Sequence, residues 1–462
     1  MSNKTVKPEI LGGFRDMLPR DALMLQEIVD IVRRVYESFG FLPLETPCME
    51  RQEVLTGGDP HFNKTIFIAR TLRGTEDRGV EESWDNDFAL RFDLTVSLAR
   101  VVAAYPDLLK PFKRYQLGKV WRGESQQSGR FREFFQLDFD TIGSRSLNAD
   151  IETIQVIYEC LKELGIANFT IRFNTRKVLN GLAQVVQVGD RARNFFRILD
   201  KLDRIGADGV KADLMRQPDN EFDESAVALS ESEADKVLGF LSIKDERPED
   251  TLARLEEFFA GAQGDGQEGL AELRGIVEAL DLLGIPRANW KLDLSVARGL
   301  DYYTGPVFET ILNDYPELGS VVGGGRFDGL TNRFIPDSNI AGVGASVGVD
   351  RLIVGMQKLG LLKAKDSLTQ VLVTIFDPKY ERESRAMAAY LRRFGVRTEL
   401  YLGEDRTLRA QFAYATKKGI PFVVVLGEEE IEADKVALKD MASRSQELLT
   451  REEVLAKLAR AE

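Results

Sequence analysis

"YQLGKVWRGESQQSGRFREFFQLDFDTIG", residues 115–143, sets two runs of alternating residues on either side of a polar stretch. "YQLGKVWR" and "FFQLDFDTIG" alternate at the period of a β-strand, and "GESQQSG" between them has the small, polar residues of a loop. The spacing predicts two strands joined by that loop. It places Arg122 and Glu124 on one face, two residues apart, with Arg130 and Arg132 beyond the loop. A planar guanidinium can grip a phosphate through two donors, and a neighbouring carboxylate can accept from a base amine or hold a metal. The same residues equally suit an exposed hairpin with an Arg–Glu pair.

The flanking segments extend the pattern. Residues 21–39 carry Leu25, Ile28, Val29, Val32, Val35, Tyr36 and Phe39 at helical spacing, and Gly40 ends the run. "FLPLETPCM" (41–49) is strand-like but interrupted by prolines, which predicts an edge or interface. "FALRFDLT", "WKLDLSV", "PVFETIL" and "SVVGGG" add strands, so a largely antiparallel sheet with long connections is expected. "GVGASVGVDRLIVGMQKL" reads as a strand entering a helix. Residues 176–283 are rich in Asp, Glu, Lys, Leu and Ala with helical periodicity, and "AGAQGDGQEG" (260–269) reads as a flexible break. After "KAKDSLTQ", the strand-like "VLVTIF", "RTELYL" and "PFVVVLG" alternate with helical stretches, and "KVALKDM" offers another strand. Thr450 and Glu453 have capping-box spacing before a last helix. The expected organisation is a sheet-based domain from 1–175 and 284–362, a helical insertion over 176–283, and a small α/β domain over 369–462.

Composition narrows the function. A chain of 462 residues exceeds one ordinary core, and its 44% hydrophobic and 29% charged residues are those of a soluble globular protein. No run approaches the roughly 18–20 apolar residues of a membrane span, and "MSNKTVKPEI" does not read as a signal peptide. Cys48 and Cys160 form no Cys-x-x-Cys pair and suit a reduced cytoplasm. With His61 as the one histidine, a histidine-rich zinc site is excluded. The net charge of −12 argues against indiscriminate polyanion binding, DNA included. Two tracts are nevertheless basic: seven Lys or Arg against one acid over 110–132, and seven against three over 391–418. Such tracts suit selective contact with a structured nucleic acid, although solvated helix and loop faces have the same composition. There is no G-x-x-x-x-G-K-[ST] phosphate loop, and "GVGASVG" resembles a glycine-rich phosphate cradle only loosely.

Resemblance adds to this reading. "FLPLETP", "RGE" with "GRFREFFQLDF", and "GVGASVGVDRL" resemble, in order, the three signature motifs of class II aminoacyl-tRNA synthetases. "LRFDLT" (90–95), "SVARGLDYYTG" (295–305) and "GGGRFDGL" (323–330) resemble the pocket segments of histidyl-tRNA synthetases, and "LGGFRDMLP" (11–19) resembles that family's N-terminus. The resemblance implies an α/β (α+β) fold with a class II antiparallel sheet, a helical insertion that clamps the acceptor arm, and a C-terminal anticodon-binding domain. It implies that Arg122 grips the α-phosphate and the amino-acid carboxylate, and that Arg298 stands on the opposite side of that phosphate. Glu124, Arg130 and Arg351 would hold the rest of ATP. Asp93, Leu94, Thr95, Gln136, Asp140, Tyr302 and Tyr303 would surround histidine, an acid facing its imidazole. ATP with Mg²⁺ on its phosphates, tRNA(His), a homodimer and a cytoplasmic location follow from the same resemblance. Phe327 stands where the family usually has tyrosine, and Gly123, Ser125 and Gln126 depart from common bacterial patterns in the loop that meets the acceptor end. Two relatives stay open here: a regulatory subunit of ATP phosphoribosyltransferase, which generally lacks the C-terminal domain, and a synthetase-like sensing module.

Overall fold

The computed structural model describes residues 6–57, 66–69, 88–123, 131–218, 223, 225–243, 246–261, 263–296, 303–362 and 366–459. The chain divides into two compact units, Met1–Asp16 with Leu25–Leu362, and Met17–Met24 with Lys363–Glu462. In chain order, helix α1 (Pro19–Ser38) is followed by β1 (Leu42–Pro43), β2 (Met49–Arg51), α2 (Gln52–Thr56), β3 (Ile68–Ala69), β4 (Phe88–Leu90) and α3 (Thr95–Ala104). The hairpin strands β5 (Phe112–Trp121) and β6 (Glu133–Ile142) come next, then α4 (Leu147–Glu163) and β7 (Phe169–Thr175). Residues 176–283 hold α5 (Arg176–Val185), α6 (Ala192–Leu199), α7 (Leu202–Met215), α8 (Glu231–Leu241), α9 (Pro248–Phe258) and α10 (Asp265–Leu282). The sheet resumes with β8 (Trp290–Leu292), β9 (Pro306–Leu312), β10 (Ser320–Arg326) and β11 (Gly342–Gly348), which leads directly into α11 (Val349–Lys358).

Among the described residues, eight strands form the main sheet in the order β1-β5-β6-β11-β10-β9-β7-β8. Only its outer pairs, β1 with β5 and β7 with β8, are parallel. β5 and β6 pair without a break from Phe112↔Ile142 to Trp121↔Glu133. Alternation gives β6 two unlike faces. Leu137 and Phe139 turn toward α1, where the Tyr36 ring lies 4.8 Å from Phe139 and its hydroxyl donates to the Leu137 carbonyl at 3.2 Å. Ile28, Val32, Val35 and Tyr36 are buried, the stripe the helical spacing predicts. Gln136, Asp138 and Asp140 turn the other way and line a cavity.

The structure corrects several sequence readings. Of "FALRFDLT", only Phe88–Leu90 is strand, because Asp93 Oδ1 accepts the Val96 N–H at 3.0 Å and turns the chain into α3. "WKLDLSV" leaves strand geometry after Leu292, where Asp293 Oδ1 accepts from the Ser295 N–H at 3.0 Å and its hydroxyl at 2.6 Å. Arg122 lies just beyond β5 instead of on it. "FTIRFNT", passed over in the sequence, forms β7. "GVGASVG" is, as read, a strand entering a helix, β11 into α11. "AGAQGDGQEG" is only partly a break: α10 starts at Asp265. A Cβ on Gly181 would come within 2.5 Å of the Gly266 Cα, and one on Gly269 within 2.7 Å of the Val178 nitrogen. Those glycines let α5 and α10 touch backbone to backbone.

The second unit has a five-stranded sheet, again among the described residues. It comprises β12 (Val371–Val373), β13 (Thr398–Leu400), β14 (Phe422–Val425), β15 (Val436–Asp440) and β16 (Gln446–Leu449), in the order β13-β12-β14-β15-β16. β12 pairs in parallel with both neighbours, and β15 and β16 add antiparallel strands. Helices α12 (Glu381–Arg393), α13 (Leu408–Lys417), α14 (Glu428–Glu432) and α15 (Arg451–Ala459) complete it. One core joins Val371, Val373, Leu391 and Leu438 to Val454 and Leu458; the other joins Leu372, Ala415, Val423 and Ala437. Thr450 and Glu453 make both bonds of the expected capping box.

Arg326, the arginine of "GGGRFDGL", fastens the end of β10 to the start of α4. Its Nη2 meets Asp150 Oδ2 at 2.5 Å and its Nε meets Asp150 Oδ1 at 3.0 Å, while Nη1 donates to the Ser144 carbonyl at 2.9 Å. Burial pushes the Asp150 carboxyl up to about 6 although Arg326 favours its charge. Removing Asp150 leaves the buried Arg326 with two backbone carbonyls and only the more distant Asp328, at 3.4 Å, as countercharge. Asp150→Ala should therefore cost roughly 3–5 kcal/mol of stability, read as a lower urea midpoint with an unchanged slope.

Candidate active site

The cavity has a volume of about 540 Å³, within the usual range for small-ligand sites. Its floor is the polar face of β6 continued across β11 and β10. Gly323, Gly324 and Gly344 leave that floor open. A Cβ on Gly344 would stand 2.2 Å from Asp140 Oδ1, and one on Gly324 would stand 2.1 Å from the Gly344 carbonyl. Alanine at either position would collide with the sheet itself.

Beside the floor, on the same face of the sheet, lies Arg114, directly opposite Asp140 on the neighbouring strand and with no exposed surface. Its Nη2 is 2.6 Å from Asp140 Oδ2, a close ion pair whose angles do not make a hydrogen bond. Gln136 Nε2 donates to Ser346 Oγ at 2.6 Å. Three buried oxygens, Asp93 Oδ2, Gln136 Oε1 and Asp138 Oδ1, have no hydrogen-bond partner among the described residues, and a fourth, Asp140 Oδ2, has only the Arg114 cation beside it. All four belong to residues lining the same cavity. A buried acceptor without a donor is costly, so this wall is built for a ligand rich in N–H groups.

On the other side, Arg122 is held by its Nε bond to the Phe92 carbonyl at 3.1 Å, with its guanidinium 5.2 Å from the centre of the Phe134 ring. Arg351 donates from Nη1 to the Ser320 carbonyl at 2.7 Å. Phe131, Phe134 and Asp350 line this end, and Asp200 reaches it from the end of α6. The cavity thus has an acidic amide-lined half and a cationic aromatic half.

Of the residues singled out in the sequence, the structure brings Asp93, Thr95, Arg122, Gln136, Asp140, Tyr303 and Arg351 to this one cavity. Leu94 is buried beside them at the start of α3 but is not in the lining. Glu124, Arg130, Arg298 and Tyr302 lie outside the described residues. The sequence reading missed Asp138, Ser346 and Asp200. Asp138 was within reach of simple alternation, being two residues from both Gln136 and Asp140. Phe327 lines the cavity and packs with Leu98, Ile142 and Leu330.

A family model for histidyl-tRNA synthetase matches residues 13–352. The chain belongs to the histidyl-tRNA synthetase family. A model for an anticodon binding domain matches residues 370–461. The chain is 41% identical over 438 residues to a histidine–tRNA ligase of Wolinella succinogenes, covering 94% of each chain. It is 40% identical to that of Clostridium tetani, with 98% of this chain and 99% of the other aligned. The crystal structure of histidyl-tRNA synthetase from Nostoc sp. PCC 7120 superposes with a TM-score of 0.84 at 32% identity, over 99% of this chain and 100% of that one. The fold expected from the family motifs, a mixed α/β architecture around an antiparallel-rich sheet with a second sheet domain, is the fold observed.

The acidic half of the site has a measurable pH signature. Burial pushes the Asp138 carboxyl up to about 7 and Asp140 up to about 6, with Arg114 opposing both shifts, and burial raises Asp93 as well. Unfolded aspartates titrate near 3.9, so between there and about 7 the folded state binds more protons than the unfolded chain. Stability from this cluster is therefore fullest at low pH and declines as pH rises toward 7. Asp138→Asn removes one of the buried charges. At pH 8 the ligand-free variant should melt above wild type, by roughly 2–4 °C. The difference should close near pH 4. Thermal melts at the two pH values check this, and a variant melting below wild type at pH 8 contradicts it.

Proposed function

We propose that the cavity catalyses both steps of histidine–tRNA ligation, with the partnerless oxygens as the histidine-reading wall. The observation that carries this is the convergence on one cavity of Asp93, Gln136 and Asp138, each with an unmet acceptor, beside the Arg114-paired Asp140. The substrate offers matching donors in its α-ammonium group and imidazole. Asp93 and Thr95 take the α-amino group, and Gln136, Asp140, Tyr302 and Tyr303 surround the ring, with Leu94 closing the pocket from behind. A competitor of similar size without ring N–H groups would leave those oxygens unpaired, the strongest available basis for rejection.

ATP occupies the cationic half. Arg122 grips the α-phosphate and the histidine carboxylate together; Glu124 reads the adenine, Arg130 reaches the outer phosphates, and Arg351 stacks on the adenine or meets those phosphates. A carboxylate oxygen of histidine attacks the α-phosphorus, the bond to the bridging oxygen breaks, and pyrophosphate leaves. Negative charge builds on the non-bridging oxygens, where Arg122 and Arg298 on opposite sides are worth most. A hydroxyl of the tRNA's terminal ribose then attacks the carbonyl carbon of the adenylate and AMP departs. Among the described residues no cluster of three or more His, Cys, Asp or Glu could hold a metal. Magnesium would arrive on the ATP phosphates, neutralising charge there.

The remaining assignments concern partners. The unit after Leu362 is proposed to bind the anticodon of tRNA(His), supported by the family match and by the basic tract over 391–418. The helices of 176–283 would clamp the acceptor arm. A homodimer is supported by the edge position of β1 and by exposed apolar residues on β1 to β4: Leu42, Met49, Ile68 and Phe88. The free thiols Cys48 and Cys160 fit a reducing cytoplasm.

The test is ATP–pyrophosphate exchange run with each of the twenty standard amino acids. Histidine alone should stimulate it; comparable stimulation by a second amino acid would overturn the pocket assignment. Arg298→Ala should lower kcat of exchange by roughly 100-fold or more, with less change in KM for ATP, because its charge matters most at the transition state. Arg298→Lys should recover only part, keeping the charge without the planar fork.

A further inference from the structure

The segment "LGGFRDMLP" has no part in the chemistry above, yet it touches the cavity wall repeatedly. The Gly13 carbonyl accepts the Arg132 N–H at 2.8 Å, and the Gly12 carbonyl accepts from Arg132 Nη1 at 3.4 Å. Arg15 then spans two lining residues. Its Nη2 donates to Asp350 Oδ1, and its guanidinium carbon stands 4.2 Å from the centre of the Phe131 ring. The second oxygen of Asp350 accepts the Phe135 N–H at 2.7 Å. One carboxylate, 5% exposed, therefore joins the N-terminal segment, β6 and the start of α11. The next residue is Arg351.

From these contacts we infer that Gly12–Arg15 form a strap that positions the ATP half of the cavity, and that Arg15 is a positioning residue for Phe131 and, through Asp350, for Arg351. This rests on the reading that the Phe131–Arg351 end holds ATP. Arginine suits the position because one planar group stacks on the Phe131 ring while donating to Asp350. Lysine could make only the ion pair. Without Arg15, Asp350 keeps its Phe135 bond but loses its countercharge, and α11 loses its tie to the segment that also holds Arg132.

The experiment uses full-length protein, with steady-state exchange kinetics and direct calorimetric titration of ATP. Arg15→Ala should lower kcat/KM for ATP, and ATP affinity, by about tenfold or more, the scale on which small misplacements act, while KM for histidine stays within twofold. Arg15→Lys should fall between it and wild type. The double variant Arg15→Ala with Asp350→Asn should be no worse than the weaker of the two single variants, since both break one contact. Unchanged ATP parameters in Arg15→Ala, parallel rises in KM for both substrates, or fully additive losses in the double variant would each overturn the strap. If Arg15→Ala does not fold, Arg15→Lys decides alone: a threefold or greater loss of ATP affinity supports the strap, and wild-type affinity overturns it. Titration separates this from the functional reading. Absence of histidine-stimulated exchange in wild type, with ATP binding still weakened by Arg15→Ala, would overturn the proposed reaction and keep the strap.

Discussion

A guanidinium with no exposed surface has to be answered by a charge beside it, and Arg114 is answered by Asp140 from directly across the strand pair. That requirement fixes the register of β5 on β6. A slip of one residue would move Leu137 and Phe139 into the cavity and drive Asp138 and Asp140 against α1. It would also part the aromatic cluster of Tyr36, Phe41 and Phe139, whose rings stand 4.8–6.2 Å apart. The same alternation that closes the core on one side builds the pocket on the other. Fold and site are two readings of a single strand.

The two buried acidic arrangements show how differently a protein treats structure and function. Asp150 is wrapped by Arg326, with both carboxylate oxygens bonded. Asp138, Asp140 and Asp93 are equally hidden, yet Asp138 and Asp93 each keep an oxygen without a donor among the described residues, and Asp140 Oδ2 has only its ion pair with Arg114. Burial raises all three carboxyls, and three arginines, Arg114, Arg122 and Arg333, only partly offset it. Strain of this sort belongs at a site whose missing donors come with the ligand.

Much of this was legible in the chain. The stripe of Ile28, Val32 and Tyr36, the two hairpin runs, and the passage from β11 into α11 all follow from periodicity, because each buries one regular face. What escaped had other causes. β4 and β8 stop early because Asp93 and Asp293 bond backbone two or three residues on, a local competition that alternation does not register. The glycines of α10 look like a break in one dimension and serve as contact points in three. The pairing of Arg15 with Asp350 spans 335 positions, and that of Arg114 with Asp140 becomes visible only once the register is known. Of the site, alternation singled out Arg122, whereas Asp93, Thr95, Gln136, Asp140 and Tyr303, all found at the cavity, were legible through family motifs rather than periodicity.

The parallel pairing of β7 with β8 has an architectural consequence. These strands are neighbours in the sheet, yet all of α5 to α10 lies between them in the chain. Parallel neighbours must be joined by a crossover, so the whole helical insertion occupies the place of one connecting segment. Its first and last helices are sealed together through Gly181, Gly266 and Gly269, which closes the loop at its neck. Beyond that neck, length is nearly free, because closure entropy grows only with the logarithm of loop size. The sheet therefore presents a socket at which entire helical modules can be lengthened, shortened or exchanged while the strands that carry the chemistry keep their register.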